Sequence, residues 1–174
     1  IKKSIAEITP RFTTKRMIDD YIERFYMPLS KRSAEVCANN FAKAKELAAW
    51  KHNVATHWDD IELKSLDIKN LDHQSVEVGD HYDITAQIDT KGLNDNGIGL
   101  ELVVTYQDAK GQTHVSEVKE FDLVKREGSL LVYKLDYQLS QGGTYKYAFR
   151  MFPKNSDLPH RMDFCYVRWL QRLN

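Results

Sequence analysis

The chain has 174 residues, a length that suits one compact core or one domain with a helical appendage. Its 25 Lys and Arg balance 25 Asp and Glu, which argues against nucleic acid as the main partner, because nucleic-acid-binding proteins usually concentrate a basic excess on one face. No apolar run approaches the roughly 20 residues that a membrane-spanning helix requires, so we expect no membrane partner.

The first predicted element is an amphipathic helix within residues 8–26. At about 100° per residue, its charged side chains fall in one half and its apolar side chains in the other. Thr13 or Thr14 can serve as the N-cap, and Pro28 predicts a break. A wide, aromatic apolar half requires burial, so we interpret it as a docking face for another part of a protein. The face consists of Met17, Ile18, Tyr21, Ile22 and Phe25.

Two more helices are predicted, one over about 29–37 and one beginning after Asn39 and Asn40. The third helix carries one apolar stripe, formed by Leu47, Trp50, Val54 and Trp58. Helical spacing of the apolar residues ends at Trp58. The sequence therefore predicts a helical segment over 1–58 and a second domain over 59–174.

Beyond residue 60, apolar and polar residues alternate between turn motifs. One-sided alternation with short loops predicts an antiparallel, immunoglobulin-like β-sandwich of about seven strands, with a small barrel as the alternative closure. With the helices, the predicted fold class is α+β. The predicted strands lie within 61–68, 81–89, 98–106, 114–124, 130–139, 144–152 and 163–171, and turns are predicted at 94–97, 108–111, 126–128 and 141–143.

The last predicted strand is apolar on both faces. Phe164, Tyr166 and Leu170 would lie on one face, and Cys165, Val167 and Trp169 on the other. A strand of this kind is usually buried on both sides, so we expect it to meet the helices or a neighbouring domain.

The two cysteines, Cys37 and Cys165, form no CxxC motif. They are typical of reduced thiols in a cytoplasmic protein. We expect Cys165, between Phe164 and Tyr166, to be buried and inert.

The sequence shows no catalytic, cofactor-binding or metal-binding constellation. His52 and His57 are five positions apart, whereas metal-binding pairs on a helix are four apart. The oxygen-rich residues Asp89, Asn94, Asp95 and Asn96 could offer ligands to calcium, but they lack the spacing of an EF-hand loop, and a plain turn is favoured.

Aromatic residues make up 11% of the chain, which raises the question of carbohydrate binding by stacking. The alternation assigns most of them to the core instead, namely Tyr82, Tyr106, Tyr133, Tyr137, Tyr145, Tyr147 and Phe149. Near the C-terminus, a long polar loop follows Phe152 and precedes the last predicted strand. Contact with a glycan or with another domain is predicted for Phe152, His160, Arg161 and Trp169.

The opening of the chain resembles the C-terminal end of the bacterial α-glucan phosphorylases, the glycogen/maltodextrin phosphorylase family. The matching motif comprises Ser4, Ile5, Pro10, Phe12, Arg16, Met17, Tyr21 and Tyr26. Residues 48–50 and Trp58 fit the helices that follow. Residues 147–169 resemble the additional sandwich domain of some bacterial members, notably the Bacteroides type.

The resemblance implies an enzyme that holds pyridoxal phosphate through a lysine and uses its phosphate as a proton relay in the phosphorolysis of α-1,4-glucan. It places that lysine, the phosphate-binding residues and the sugar subsites upstream of residue 1. We therefore expect a non-catalytic C-terminal portion without a cofactor of its own. Its sandwich would act as structural support or as an interface, with glucan binding as the alternative.

Three partners follow from this interpretation. The enzyme's own catalytic domain is the first, and α-glucan is the second. A second copy of the chain, paired through the docking face, is the third.

Overall fold

The computed structural model describes residues 1–69, 79, 81–93, 97–139 and 144–170. The chain forms two compact units, Ile1–Trp50 and Lys51–Asn174. A long helix crosses from the first unit into the second, so the domain boundary after Trp58 stays a prediction. The predicted turns at 94–97 and 141–143, and the candidate calcium ligands Asn94, Asp95 and Asn96, fall largely or wholly outside the described residues.

The first unit is helical. Its elements are α1 (Lys2–Glu7), a 3-10 turn (Thr9–Arg11), α2 (Thr14–Tyr21), a π-helical stretch (Ile22–Tyr26) and the start of α3 (Met27–His57). Thr13 is the N-cap of α2, since its side chain accepts a hydrogen bond from the backbone N–H of Arg16 at 3.2 Å. The break predicted at Pro28 is wrong, because proline is tolerated in the first turn of a helix and Pro28 lies there.

The break predicted near Asn39 and Asn40 is confirmed. Ala38 is extended (ψ 155°), and Asn39, Asn40 and Phe41 all have positive φ values between 50° and 61°. Asparagine tolerates this left-handed region better than most residues, which explains why the two asparagines stand at the interruption of α3.

The second unit is a β-sandwich of eight described strands. A 3-10 turn (Trp58–Asp60) joins α3 to the first strand. The strands are β1 (Glu62–Ile68), β2 (His81–Asp89), β3 (Ile98–Gln107), β4 (Thr113–Glu120), β5 (Asp122–Glu127), β6 (Leu130–Gln138), β7 (Tyr145–Pro153) and β8 (Arg168–Leu170). They form two antiparallel sheets, with the orders β1-β2-β6-β5 and β4-β3-β7-β8. The predicted α+β class and antiparallel sandwich are confirmed.

One predicted strand is two strands. The segment 114–124 divides at Phe121, which is buried and whose N–H donates to the carbonyl of Leu100 at 2.8 Å. Phe121 turns into the core there, and the chain crosses from the β3 sheet to the β6 sheet. This crossing explains why the described part of the chain has eight strands rather than about seven.

The core lies between the sheets and is built by the predicted alternation. In β2, Tyr82, Ile84, Ala86 and Ile88 are buried, whereas the residues between them are exposed or half-buried. Tyr133 is also buried, and its hydroxyl donates to the carbonyl of Ile98 at 2.5 Å. Two residues predicted to point inward, Tyr106 and Tyr147, are each more than 40% exposed because they stand near the open end of the sandwich.

The prediction of a last strand buried on both faces is wrong. Residues Arg161–Phe164 form a 3-10 turn, and only Arg168–Leu170 pair with β7. His160 and Asp163 cap this turn reciprocally, which removes its residues from the sheet. Consequently Cys165 is exposed rather than buried, and Val167 and Trp169 are about half exposed.

Candidate functional site

The candidate site lies on the outer face of the β4-β3-β7-β8 sheet. Strand register places Glu120, Glu101, Arg150 and Trp169 side by side, one from each strand. Residues directly opposite each other on neighbouring strands share a face, so these four side chains form a row across the sheet.

Glu101 is the centre of the site. It is 3% exposed, although it lies on the outer side of β3, away from the core between the sheets. Arg161 donates to both of its carboxylate oxygens, from Nη2 to Oε1 at 3.1 Å and from Nη1 to Oε2 at 3.3 Å. Arg150 donates to Oε1 through Nε. Because a buried carboxylate is costly without partners, the two guanidinium groups account for its burial.

Arg161 also covers an aromatic ring. Its guanidinium carbon lies 3.9 Å from the ring centroid of Phe152, a cation–π contact. Phe152 in turn lies over Gly99, where a Cβ atom would come within 2.4–2.9 Å of the ring. The absence of a side chain at Gly99 is therefore what admits the ring.

The four predicted contact residues lie in the same region of the structure, but they differ in exposure and in the contacts they make. Phe152 is only 7% exposed and lies beneath Arg161. His160 caps the 3-10 turn, with Nδ1 accepting from the N–H of Met162 at 3.0 Å. Trp169 is 53% exposed, and the guanidinium carbon of Arg150 lies 5.5 Å from its ring centroid. His160, Arg161 and Trp169 are thus exposed, whereas Phe152 is buried.

Sequence reasoning missed Glu101 and Arg150. The available signal was a charged residue at a central position of the most apolar strand, "IGLELVVTY". An ion there requires a partner, but nothing in the sequence identifies β7 as the neighbouring strand.

Residues 154–170, here called the C-terminal segment, join this face to the end of α3 within the same unit. Lys51 donates to the carbonyl of Asp163 at 3.1 Å, and its Nζ lies 5.7 Å from the ring centroid of Phe164. Tyr166 packs on Trp58, with 5.5 Å between ring centroids. The guanidinium of Arg168 donates to the carbonyls of Trp58 and Ile61.

A cavity of about 320 Å³ lies between the sheets at one end of the sandwich. It is lined by aliphatic residues, Thr144 and the four tyrosines Tyr82, Tyr137, Tyr145 and Tyr147. Burial, together with the charge and hydrogen bond of Glu117, raises the pKa of Tyr137 to about 12. The lining offers neither a nucleophile nor a base for chemistry near neutral pH.

The linings of the 320 Å³ cavity and of a second cavity do not fit a Schiff-base cofactor. The 320 Å³ cavity has no lysine in its lining, and the lysine of the second cavity, Lys154, is exposed and paired with Glu120. Within the part of the chain that the structure describes, no three His, Cys, Asp or Glu residues are grouped as metal ligands. None of the described helices is both long and apolar enough to cross a membrane.

In the first unit, the docking face stays accessible. Met17, Ile18, Tyr21, Ile22 and Phe25 are between 41% and 54% exposed. Their polar counterparts form the two (i, i+4) ion pairs Lys15–Asp19, at 2.6 Å, and Asp20–Arg24, at 3.5 Å. The helix is therefore amphipathic as predicted, with its apolar half presented to solvent.

Residues 58–171 match the family model described as the glycogen phosphorylase C-terminal domain. The chain belongs to this family. The match begins at Trp58 and ends just beyond β8, so it covers the whole sandwich of the glycogen phosphorylase C-terminal domain.

Two relatives extend the similarity into the helices. A maltodextrin phosphorylase of Thermococcus litoralis is 25% identical over 177 residues, covering 97% of this chain and 20% of the relative. A glycogen phosphorylase of Mycobacterium tuberculosis is 21% identical over 159 residues, covering 91% of this chain and 16% of the relative. The chain therefore spans about a fifth or less of the length of these relatives.

Proposed function

We propose that this chain is the non-catalytic C-terminal portion of an α-glucan phosphorylase, a glycosyltransferase that releases glucose 1-phosphate from α-1,4-glucan. The sandwich acts as structural support or as an interface of that enzyme, in the cytoplasm. The two sheet orders support an immunoglobulin-like sandwich. Pyridoxal phosphate is held by the rest of the enzyme.

The observation that carries the proposal is the exposed apolar face of the first helical elements. Five large apolar side chains at helical spacing, each at least 41% exposed, form a surface of the kind that proteins cover with a partner. The relatives are about five times longer than this chain, so we take the remainder of the phosphorylase as that partner. Pairing with a second copy of the chain is the competing occupant.

Side-chain footprinting tests this occupant. Hydroxyl radicals oxidise accessible Met, Tyr and Phe, so Met17, Tyr21 and Phe25 should be modified several-fold less in the longer enzyme than in the 174-residue chain. Equal modification in both would contradict docking on the catalytic body. Protection that instead rises with the concentration of the 174-residue chain would identify a second copy as the occupant.

A charge on the docking face gives an independent test in the longer enzyme. Ile18→Asp should lower its melting temperature, because a carboxylate would be buried against the catalytic body. Glu23→Gln, on the polar half of the same helix, is the matched control and should leave the melting temperature nearly unchanged. Equal effects of the two substitutions would argue against the proposed interface.

A second role, α-glucan binding by the sandwich, is favoured by one observation. Trp169 is 53% exposed beside Arg150 on the outer face of the β4-β3-β7-β8 sheet. Binding there would hold the enzyme on its polymer without taking part in the chemistry.

A further inference from the structure

We propose that the outer face of the β4-β3-β7-β8 sheet contains a binding site for a neutral α-glucan segment. Trp169 stacks on one pyranose ring, and Arg150 and Arg161 donate hydrogen bonds to hydroxyl groups of the sugar. Glu101 is a positioning residue that fixes both guanidinium groups. This inference rests on the proposed membership of the chain in an α-glucan phosphorylase and adds the site, its residues and their roles.

The guanidinium groups are held before any ligand arrives. Arg161 is fixed at three points, through both carboxylate oxygens of Glu101 and through the ring of Phe152. Arg150 is fixed between Glu101 and Trp169. Both side chains remain partly exposed, at 27% and 42%. Donors fixed in this way lose little side-chain entropy on binding, which is the usual advantage of a preorganised site.

Trp169 supplies the aromatic surface on which a sugar ring would stack. Trp169 belongs to an edge strand of three residues, pairs with Arg150 in the sheet register and leaves about half of its surface open. Two apolar residues of the same face, Phe152 and Val103, are both less than 10% exposed, whereas Val167, two residues before Trp169, is half exposed. One open aromatic plane beside fixed donors suits a sugar ring, whose C–H groups stack and whose hydroxyls accept hydrogen bonds.

The charges of the cluster favour a neutral ligand. Glu101 partly neutralises the two arginines from within the site, and Lys154 is paired with Glu120 at the far end of the row. The carboxylates of Glu101 and Glu120 offset two of the three positive charges of Arg150, Arg161 and Lys154, which weakens the attraction of the site for an anion. A glucan hydroxyl does not depend on that attraction.

A protein partner would engage a different set of side chains. Met162 and Val167 of the C-terminal segment are exposed apolar residues and would contribute most to a protein contact. A glucan on the sheet requires Trp169 and the arginines instead. The two occupants are therefore separable by substitution.

The test is affinity electrophoresis and calorimetric titration of the 174-residue chain with maltoheptaose, with inorganic phosphate as the anionic probe. We expect weak, millimolar binding of maltoheptaose that Trp169→Ala reduces at least about tenfold, a loss typical of removing an aromatic anchor. Phe12→Ala, which removes an exposed aromatic ring from the first unit, is the matched control and should leave the affinity unchanged.

The role of Glu101 needs a readout that fold stability alone would not change. Glu101→Gln should weaken maltoheptaose binding several-fold at a temperature where the variant is folded. Val54→Ala, which destabilises the sandwich unit at a buried residue away from the site, should leave the affinity unchanged. An equal loss of maltoheptaose affinity in both variants would contradict the positioning role of Glu101.

Three outcomes of the experiments without phosphate would overturn the site. The first is that maltoheptaose does not bind at millimolar concentration, and the second is that it binds but Trp169→Ala leaves the binding intact. The third is that the chain self-associates, that Met162→Ala abolishes the self-association, and that sugar has no effect on it. Competition by phosphate at similar concentration would show an anion site instead. None of these outcomes bears on the docking of Met17, Tyr21 and Phe25, so the site and the proposed supporting role fail separately.

Discussion

Arg168 of the last strand donates hydrogen bonds to the carbonyl oxygens of Trp58 and Asp59, at 3.2 and 3.4 Å, and a third to that of Ile61. These carbonyl groups lie at the end of the helical part of the sandwich unit, where no further helical N–H group is available to donate to them. One guanidinium therefore supplies hydrogen-bond donors to the carbonyl groups at the end of a helix, although Arg168 lies more than 100 residues further along the chain. Burial lowers the pKa of Arg168 relative to its ordinary value, and the charge of Asp59 opposes this shift.

Removing this guanidinium should destabilise the sandwich unit. Arg168→Ala leaves several carbonyls without their charged donor, and we expect a loss of about 2–4 kcal/mol in the free energy of unfolding. Arg168→Lys should recover part of the loss, because a single ammonium cannot reach all three carbonyls in the same planar arrangement. Urea denaturation followed by circular dichroism measures both variants.

The matched control for Arg168 is Lys125→Ala, which removes an exposed cation from β5. It should change the unfolding free energy by less than about 0.5 kcal/mol. Comparable losses in Arg168→Ala and Lys125→Ala would show that the Arg168 hydrogen bonds contribute nothing specific.

Gly99 should accept no side chain while Phe152 is present. Gly99→Ala places a Cβ atom against the Phe152 ring, and overpacking of this kind costs about 1–3 kcal/mol. Phe152→Leu should by itself destabilise the protein, yet Gly99→Ala in that background should cost markedly less. If thermal unfolding shows the two changes to be additive, the steric account of Gly99 is wrong.

The fold was predictable wherever local pattern decides the structure. The alternation in β2 and β6 gives the correct buried faces, and Thr13 acts as the predicted N-cap. The errors lie where a distant contact overrides the pattern. Phe121 turns the chain into the core, and His160 with Asp163 folds a predicted strand into a 3-10 turn.

The ion cluster at Glu101 should show strong energetic coupling. Arg161→Ala removes one donor from each oxygen of the buried Glu101 carboxylate, and Glu101→Gln removes the charge that both arginines contact, so each should cost about 1–3 kcal/mol of unfolding free energy. The double variant should cost less than the sum, with a coupling energy above about 0.5 kcal/mol. A coupling energy near zero in urea denaturation would mean that the Arg161–Glu101 contact is not formed in solution.

Two tyrosines with raised pKa values, the half-buried Tyr137 and the buried Tyr133, predict a loss of stability at alkaline pH. Tyr137 has a pKa of about 12 in the folded chain against about 10 when unfolded, so the unfolded state loses its proton first. The contribution of Tyr137 is complete below pH 10 and is lost as the pH rises toward 12. Burial raises the pKa of Tyr133 in the same direction.

Comparing the original chain with Tyr137→Phe isolates this contribution. The unfolding free energy of the original chain should fall more steeply between pH 10 and 12 than that of the variant, in denaturation series at each pH. Parallel curves would show that Tyr137 ionises equally in both states.

The candidate site was predictable only in part. The loop after Phe152 shows in the sequence as a region suited to contacts, and Arg161 and Trp169 are indeed accessible. The supporting residues Glu101 and Arg150 were hidden, because their pairing depends on which strands are neighbours in the sheet. Phe152, which sequence reasoning placed at the surface, is covered through its contact with Arg161.

The measurement that most directly tests the account is the release of glucose 1-phosphate from glycogen and inorganic phosphate. The 174-residue chain should release none, whereas the longer enzyme that carries it, loaded with pyridoxal phosphate, should release it readily. Release by the 174-residue chain would contradict its non-catalytic role. Failure of the loaded longer enzyme to release any would contradict the assignment to an α-glucan phosphorylase.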